Sequence, residues 1–193
     1  MIDATGVTGA AIVGFSMGGG ELARYMSRHE GRSVTHAALV SAVVPYMLKT
    51  DDNPHGTPQS VFDEMAKGMR DDRAKFFAGF FPDFFGVGVI AHPVSDELLR
   101  RAWSLSMQVG LKPTLACAKS FATTDFRPDL AAFDVPTLIV HGTSDKTVPI
   151  DASGRGGKGH PRGEADRVRR RAARPVATHK ERLAHDLIAF LRR

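Results

Sequence analysis

Short apolar runs alternate along the chain with stretches whose apolar positions recur at helical spacing. Runs at residues 10–15, 35–44 and 134–142 each predict a strand, and the first is apolar throughout, as a strand buried on both faces of a sheet should be. A helical pattern at residues 21–29 connects the first two runs, and another begins after Thr178. This order of strands and helices indicates an α/β protein with a mostly parallel sheet.

Between residues 46 and 127 the pattern changes to helices with no predicted strand. A helical block inserted between two strands of an α/β chain is typical of a cap over the edge of the sheet where ligands bind. The block contains a cluster of six phenylalanines: Phe76, Phe77, Phe80, Phe81, Phe84 and Phe85. Core packing accounts for most of them, and the alternative for a few is the lining of a ligand pocket. The chain therefore divides into residues 1–45, a cap at 46–127, and residues 128–193.

The composition is that of one globular domain, because 42% of the 193 residues are hydrophobic and 24% are charged. These values exclude an intrinsically disordered chain. No apolar run has the length needed to cross a bilayer, and the first residues lack the basic and apolar regions of a signal peptide. We therefore expect a cytoplasmic protein that does not bind membranes. The single cysteine, Cys117, is predicted to be a packed thiol in a buried helix.

The net charge of +5 comes from one segment. Residues 155–174 contain eight basic and two acidic side chains, a net of +6, which leaves −1 for the rest of the chain. Arginine runs can bind nucleic acid or another polyanion. This run has no aromatic residues for base stacking and no recognisable nucleic-acid fold around it. We therefore predict no nucleic-acid partner and retain polyanion binding as the alternative function.

The candidate chemistry centres on Gly14–Gly20, with the sequence Gly-Phe-Ser-Met-Gly-Gly-Gly, between the first strand and the helix after it. In a G-x-S-x-G turn of this kind the serine lies at a tight, strained corner, and the flanking glycines let the backbone pass without a Cβ clash. The corner exposes the hydroxyl of Ser16. It also directs the N–H of Met17 and the positive end of the helix toward the place where an oxyanion would form. The motif predicts a serine hydrolase with Ser16 as nucleophile; the alternative is an ordinary strand–helix turn.

A candidate acid, Asp145, lies in the turn after the third strand. Ligands and catalytic groups gather at the carboxyl ends of parallel strands. An acid there can orient an imidazole and stabilise its charged form during proton transfer. The alternative is a structural Asx turn, and the presence of Ser16 upstream favours catalysis. The nearby His141 is predicted to pack against the turn.

Four segments together resemble the cofactor-free, non-haem chloroperoxidase and arylesterase branch of the α/β-hydrolase fold. They are Gly14–Tyr25, Thr124–Leu130, Val135–Gly142 and Val148–Arg155, and the similarity returns at residues 177–193. The resemblance implies a partial α/β-hydrolase fold, in which the C-terminal half of a mostly parallel sheet carries a helical cap.

The same resemblance implies a function. It implies Ser16 as nucleophile, Asp145 as the acid of the triad and the Met17 N–H as one oxyanion donor, with no metal or other cofactor. Members of the branch hydrolyse esters through an acyl-enzyme, and with peroxide the acyl-enzyme gives a peracid that can oxidise halide. A small or aryl carboxylic ester is the expected substrate, and the oligomeric state is left open, a homo-oligomer included.

The chain departs from the family pattern at its beginning. Members have an N-terminal half that supplies the first strands and a second oxyanion donor, so we expect this chain to be N-terminally truncated. An unpaired apolar edge at residues 10–15 then predicts low stability and aggregation of the isolated chain.

The second departure is in the arginine-rich segment, where members have their last strand and a Gly-x-x-His-Gly turn that carries the catalytic histidine. We then read the codons of residues 156–176 in a frame displaced forward by one nucleotide. From Arg169 onward this frame permits the sequence Asp-Gly-Ala-Pro-His-Gly-Leu. This sequence was selected among several, because the third positions of the original codons are free. A double frameshift, either a sequencing artefact or a real pseudogene, is therefore expected here. Without that histidine Ser16 lacks its base, and His179 is the one candidate substitute. We predict that the chain as written is inactive.

Overall fold

The computed structural model describes residues 2–89, 91–142, 145, 147–149 and 179–192. Its sheet has three parallel strands in the order β1 (Ala10–Phe15), β2 (Val34–Val40) and β3 (Thr137–Val140). The register pairs Phe15 with Val40 and Val40 with Val140, so the three carboxyl ends are level. The predicted α/β class and parallel sheet are confirmed.

Helices occupy both faces of the sheet and the cap. In chain order they are α1 (Ile2–Thr5), α2 (Met17–Arg28), α3 (Gln59–Phe85), α4 (Asp96–Gln108), α5 (Leu111–Thr123), the 3₁₀ helix η1 (Arg127–Ala132) and α6 (Lys180–Leu191). Within the ranges that the structure describes, no helix combines the length and the apolar character that crossing a membrane requires.

The second strand is shorter than predicted, since it ends at Val40 and not at residue 44. Ser41 has a φ of 42°, which turns the chain out of the strand. Its N–H donates to Val140 O at 2.8 Å, and two residues later the N–H of Val43 donates to Ser16 O at 3.2 Å. Residues 41–43 therefore bend across the carboxyl ends of the neighbouring strands.

Two hydrophobic clusters lie on opposite faces of the sheet. On one face α2, with Leu22, Ala23 and Met26, packs on the strands together with residues of the cap and of η1. On the other face Phe190 of α6 packs on side chains of β2 and β3: Ala38, Val40, Leu138 and Val140. The main core thus lies between the sheet and α2, directly behind the strand ends.

Strand β1 is covered less completely than predicted. Val13 and Phe15 point to the α6 side of the sheet, opposite Ala38 and Val40, but their exposed fractions are 47% and 37%. The prediction that residues 10–15 are buried on both faces is wrong for the described part of the chain, because α6 packs over β2 and β3. The Val and Phe side chains leave an apolar surface on the strand that leads to Ser16.

The cap consists of α3, α4 and α5. Helix α3 is kinked at Asp72, whose φ of −155° and ψ of 93° are extended and whose Oδ1 accepts a hydrogen bond from Lys75 N at 2.9 Å. Asp72 therefore caps the second half of α3 as an N-cap residue would. The indole Nε1 of Trp103 donates to Ala74 O at 2.9 Å and joins α4 to this kink.

The six phenylalanines of the cap contact one another along the second half of α3. Phe76 stacks on Phe80 and Phe77 on Phe81, with ring centroids 5.8 and 5.7 Å apart. Of the six, only Phe81 is buried in the described structure. The other five are partly buried and contact one another, so the prediction that most of them serve packing stays a prediction. The prediction for Cys117 is wrong, since this residue of α5 is exposed.

A charged cluster joins the start of the cap to η1. Arg127 pairs with Asp125 at 2.7 Å and with Asp52 at 2.9 Å, and its guanidinium lies 5.0 Å from the centre of the Tyr46 ring. Hydrogen bonds from Arg127 lower the pKa of Asp125, and hydrogen bonds from Thr50 and Arg127 lower the pKa of Asp52. The loop that leaves β2 is thereby held near the segment that leads to β3.

Replacement of Val13 tests the exposed surface of β1. Because the side chain is already half in water, Val13→Lys should change the free energy of unfolding by less than about 1 kcal/mol and should reduce light scattering by the concentrated protein. Val40→Lys is the matched control on the covered neighbouring strand and should prevent folding or cost about 3–5 kcal/mol. Equal destabilisation by the two changes would mean that Val13 is covered.

The cluster around Arg127 predicts a stability that depends on pH. Carboxylates with lowered pKa values contribute stability above their unfolded pKa and lose it as the pH falls through the folded value. Arg127→Gln should therefore lower the urea midpoint slightly at pH 7, because pairs this exposed contribute little, and the difference from the wild type should shrink as the pH falls through the folded pKa values of Asp52 and Asp125. Arg101→Gln, at an exposed arginine with no carboxylate partner among the described residues, is the control. A difference that persists in acid would contradict this account.

Candidate active site

Ser16 lies at the corner between β1 and α2, as predicted. Its φ of 52° and ψ of −120° place a non-glycine residue in a strained region of backbone space. The corner is held by its own backbone, since Ser16 N donates to Val40 O at 3.0 Å and Ser16 O accepts from both Gly19 N at 3.1 Å and Val43 N at 3.2 Å. The Oγ of Ser16 makes no hydrogen bond with any described residue.

Helix α2 begins at Met17, immediately after this corner. The first turn contains no acidic residue, so no side chain there offsets the positive end of the helix dipole. The first N–H groups of a helix have no partner within it. A negative charge that develops beside Ser16 would therefore lie at a favourable place, and the Met17 N–H is the predicted donor.

The glycines of the motif differ in the atoms that a side chain at each position would contact. A Cβ on Gly14 would lie 2.7 Å from Gly18 O, and one on Gly19 would lie 2.3 Å from the Cβ of Ala42. A Cβ on Gly20 would lie 2.3 Å from the ring of Phe126. At Gly18, by contrast, a Cβ would have no described atom within 4 Å. The expectation that both flanking glycines prevent a clash therefore holds for Gly14 and is wrong for Gly18; Gly19 and Gly20 provide the close contacts instead.

Asp145 is buried at the carboxyl end of β3. Its Oδ1 accepts hydrogen bonds from Thr147 N at 3.0 Å and Val148 N at 2.9 Å, which is the geometry of an Asx turn. The Nε2 of His141 lies 2.7 Å from Val148 O and 4.0 Å from Asp145 Oδ2. His141 thus packs against the turn as predicted. The Asx turn and a catalytic role are compatible, since one carboxylate oxygen shapes the turn.

Ser16 and the acid-bearing turn lie at the same edge of the sheet, one on each side of β2. Two strand spacings of about 4.8 Å separate β1 from β3, about 10 Å in all. A gap of this order between the strands has room for an imidazole, and Ser16 Oγ makes no hydrogen bond with Asp145 in the described structure. His179, at the start of α6, is exposed. His160 and the whole of the arginine-rich segment lie outside the described residues.

Ser41 is a residue of this edge that the sequence did not single out. It is fully buried between the ends of β1 and β3, has a left-handed φ, and its Oγ finds no hydrogen-bond partner in the described structure. Strained residues and unpaired buried polar groups cluster at functional sites. No motif marks the position, because the left-handed conformation arises from the way the chain leaves β2.

Two cavities adjoin these elements. One of about 610 Å³ lies between α2 and the end of α5, with Met17, Val43 and Phe121 among its lining residues; Ser16 is not one of them. Another of about 510 Å³ lies in the cap between α3 and α5 and is lined by Phe62, Met65 and Leu115, among others. Across the ranges that the structure describes, no group of three metal-binding side chains is close enough to hold an ion.

Comparison with known proteins agrees with this geometry. The family model described as the alpha/beta hydrolase fold matches residues 1–170. A non-heme chloroperoxidase of Kitasatospora aureofaciens is 41% identical over 75% of this chain and 52% of its own length. A bifunctional esterase/perhydrolase of Acinetobacter calcoaceticus is 37% identical over 80% of this chain and 56% of its own length. The chain thus spans about half the length of these relatives.

A solved structure is similar over the whole chain. The bromoperoxidase from Bacillus anthracis has a TM-score of 0.94 and 33% sequence identity, and the match covers 100% of this chain and 70% of that one.

The unequal glycines give a test of the corner. Gly14→Ala should cost about 1–3 kcal/mol of unfolding free energy, because the new Cβ meets backbone atoms that cannot move aside. Gly18→Ala is the matched control and should be neutral or stabilise the protein by up to about 1 kcal/mol, since alanine favours the helix. Urea unfolding measures both. Equal losses would show that Gly18 also has a close neighbour.

Proposed function

Because this chain belongs to the α/β-hydrolase fold family, in the branch of the non-haem chloroperoxidases and esterases, we propose that Ser16 is the nucleophile of acyl transfer from small or aryl carboxylic esters. The observation that carries the proposal is the strained corner at Ser16, between the parallel strand β1 and the positive end of α2. A structural serine has no need of such a corner, whereas a nucleophile gains exposure from it.

The proposed reaction proceeds in two steps. The Oγ of Ser16 attacks the ester carbonyl, and the Met17 N–H donates to the oxyanion of the tetrahedral intermediate. Loss of the alcohol leaves an acyl-enzyme, which water hydrolyses to the acid. Asp145 orients the histidine that takes the serine proton and returns it to the leaving group. With hydrogen peroxide in place of water, the same acyl-enzyme would give a peracid that can oxidise halide; one relative bears the name esterase/perhydrolase.

The apolar side chains near the corner favour this substrate class. Met17, the residue after Ser16, lines the 610 Å³ cavity together with Val43 and Phe121. Such a surface suits a short acyl chain or an aromatic ring. A charged substrate class is less favoured there, since the cationic side chains of that cavity lie further along α2.

The chain as written is proposed to lack the base of this chemistry, because the arginine-rich segment stands where the family pattern has its histidine turn. Loss of the base leaves the hydroxyl a poor nucleophile near neutral pH.

An aryl acetate assay tests the proposal. We expect negligible hydrolysis by residues 1–193, and hydrolysis that depends on Ser16 once an N-terminal part from a relative and the shifted frame across residues 156–176 are restored. In the restored protein Ser16→Ala should abolish activity. Asp145→Asn should lower it by about 10⁴ with little change in stability, because asparagine keeps the Oδ1 acceptor of the turn. Ser16-dependent hydrolysis by the unrestored chain would refute the loss of the base.

A further inference from the structure

An ion pair fixes the far half of α2 to the segment that leads to β3. The Nη1 of Arg24 lies 3.1 Å from Asp129 Oδ1 and 2.8 Å from Oδ2, and its Nη2 donates to Asp125 O at 3.2 Å. The hydroxyl of Ser27, one turn further along α2, also donates to Asp129 Oδ1. Two successive turns of α2 are therefore bound to one carboxylate of η1.

The ion pair between Arg24 and Asp129 restricts the orientation of the guanidinium in addition to attracting the two segments. The side chain of Asp129 is only 5% exposed and that of Arg24 34%, so the pair is screened less than a surface pair. The guanidinium lies 5.3 Å from the centre of the Phe126 ring, and the same ring packs against Gly20. A planar guanidinium held by a carboxylate, a carbonyl and a ring has few alternative orientations. The rotation of α2 about its axis is thereby restricted.

The pair connects the two halves of the candidate site. Helix α2 begins at Met17, whereas η1 leads directly into β3 and the turn that carries Asp145. The far half of α2 is held by the burial of Met26 and by this ion pair, whereas its first turn is held through Ser16 N, Ser16 O and the glycine contacts. A tilt of α2 about that end would move the Met17 N–H, and an oxyanion donor must lie within about 2.7–3.1 Å of its acceptor.

We propose that Arg24 and Asp129 are positioning residues for acyl transfer, which hold α2 in the orientation that places the Met17 N–H beside Ser16. This inference rests on the proposed function of Ser16. Neither residue touches the reacting atoms. The alternative is a pair that contributes only to stability. The two roles differ in the reactivity that they predict for Ser16 when the directional bonds of the pair are removed and the free energy of unfolding is unchanged.

The test replaces the pair by apolar side chains. Buried ion pairs can often be exchanged for hydrophobic residues without loss of stability, so Arg24→Met with Asp129→Leu should retain the urea midpoint of the full chain. A methionine and a leucine make no directional bond. In the protein with the N-terminal part and the shifted frame restored, labelling of Ser16 by an aryl fluorophosphonate, followed by mass spectrometry, should be about tenfold slower or more in the double variant than without it. Amide exchange at residues 17–22 should be faster, while exchange at residues 34–40 stays unchanged.

Controls separate this inference from its alternatives. Arg32→Met removes an exposed charge just beyond the same helix, where no described carboxylate pairs with it, and should leave both readouts as in the protein without the substitution. Arg24→Lys keeps the charge but lacks the planar guanidinium, so its labelling rate and amide exchange should lie between those of the wild type and the double variant. This variant replaces the double variant if the latter does not fold. Wild-type labelling and exchange at equal stability in the double variant would overturn the positioning role. If Ser16 of the restored protein without these substitutions does not label, the proposed function fails, and the exchange data alone decide the orientation of α2.

Discussion

The close approach between the first turn of α2 and the exit of β2 is the contact on which the rest of the site depends. The carbonyl oxygen of Ser16 accepts from Gly19 N and Val43 N, so three chain segments converge on one atom. A side chain on Gly19 would meet the Cβ of Ala42, and this leaves no room for a residue larger than glycine. The strain at Ser16 persists because its neighbours allow no other path.

The carboxyl ends of three strands bring the remaining groups to this contact. Register pairs β1 with β2 and β2 with β3 at the same level, so Ser16, Ser41 and His141 follow one another across the edge. The turn after β3 has its own support, because Asp145 Oδ1 accepts two backbone N–H groups and the His141 ring contacts Val148 O. Backbone geometry, more than contacts between side chains, therefore sets where the candidate nucleophile and the candidate acid lie.

The sequence predicted correctly those elements whose conformation depends on residues that are close in the chain. The apolar run of β1, the corner at Ser16 and the turn at Asp145 each depend on neighbouring residues, and each was predicted at its position. Contacts between distant segments were not predictable in the same way. The end of β2 at Val40 depends on Val43 bonding to Ser16, the exposure of Cys117 depends on how α5 packs, and Gly18 has open space where Gly19 does not. The pairing of Arg24 with Asp129 joins residues that are remote in sequence.

Strand β1 links the chemistry of this protein to its stability. Its apolar sequence is explained by burial on two faces, but in the described structure only the side toward α2 is covered, and Val13 and Phe15 remain exposed. Phe15 directly precedes Ser16, so any segment that packs on this surface would also restrict the corner. In the solved bromoperoxidase, 70% of the chain matches this one and the rest is additional. Cover on this apolar surface and the geometry of the corner are thus expected to be coupled, because both act on the same strand.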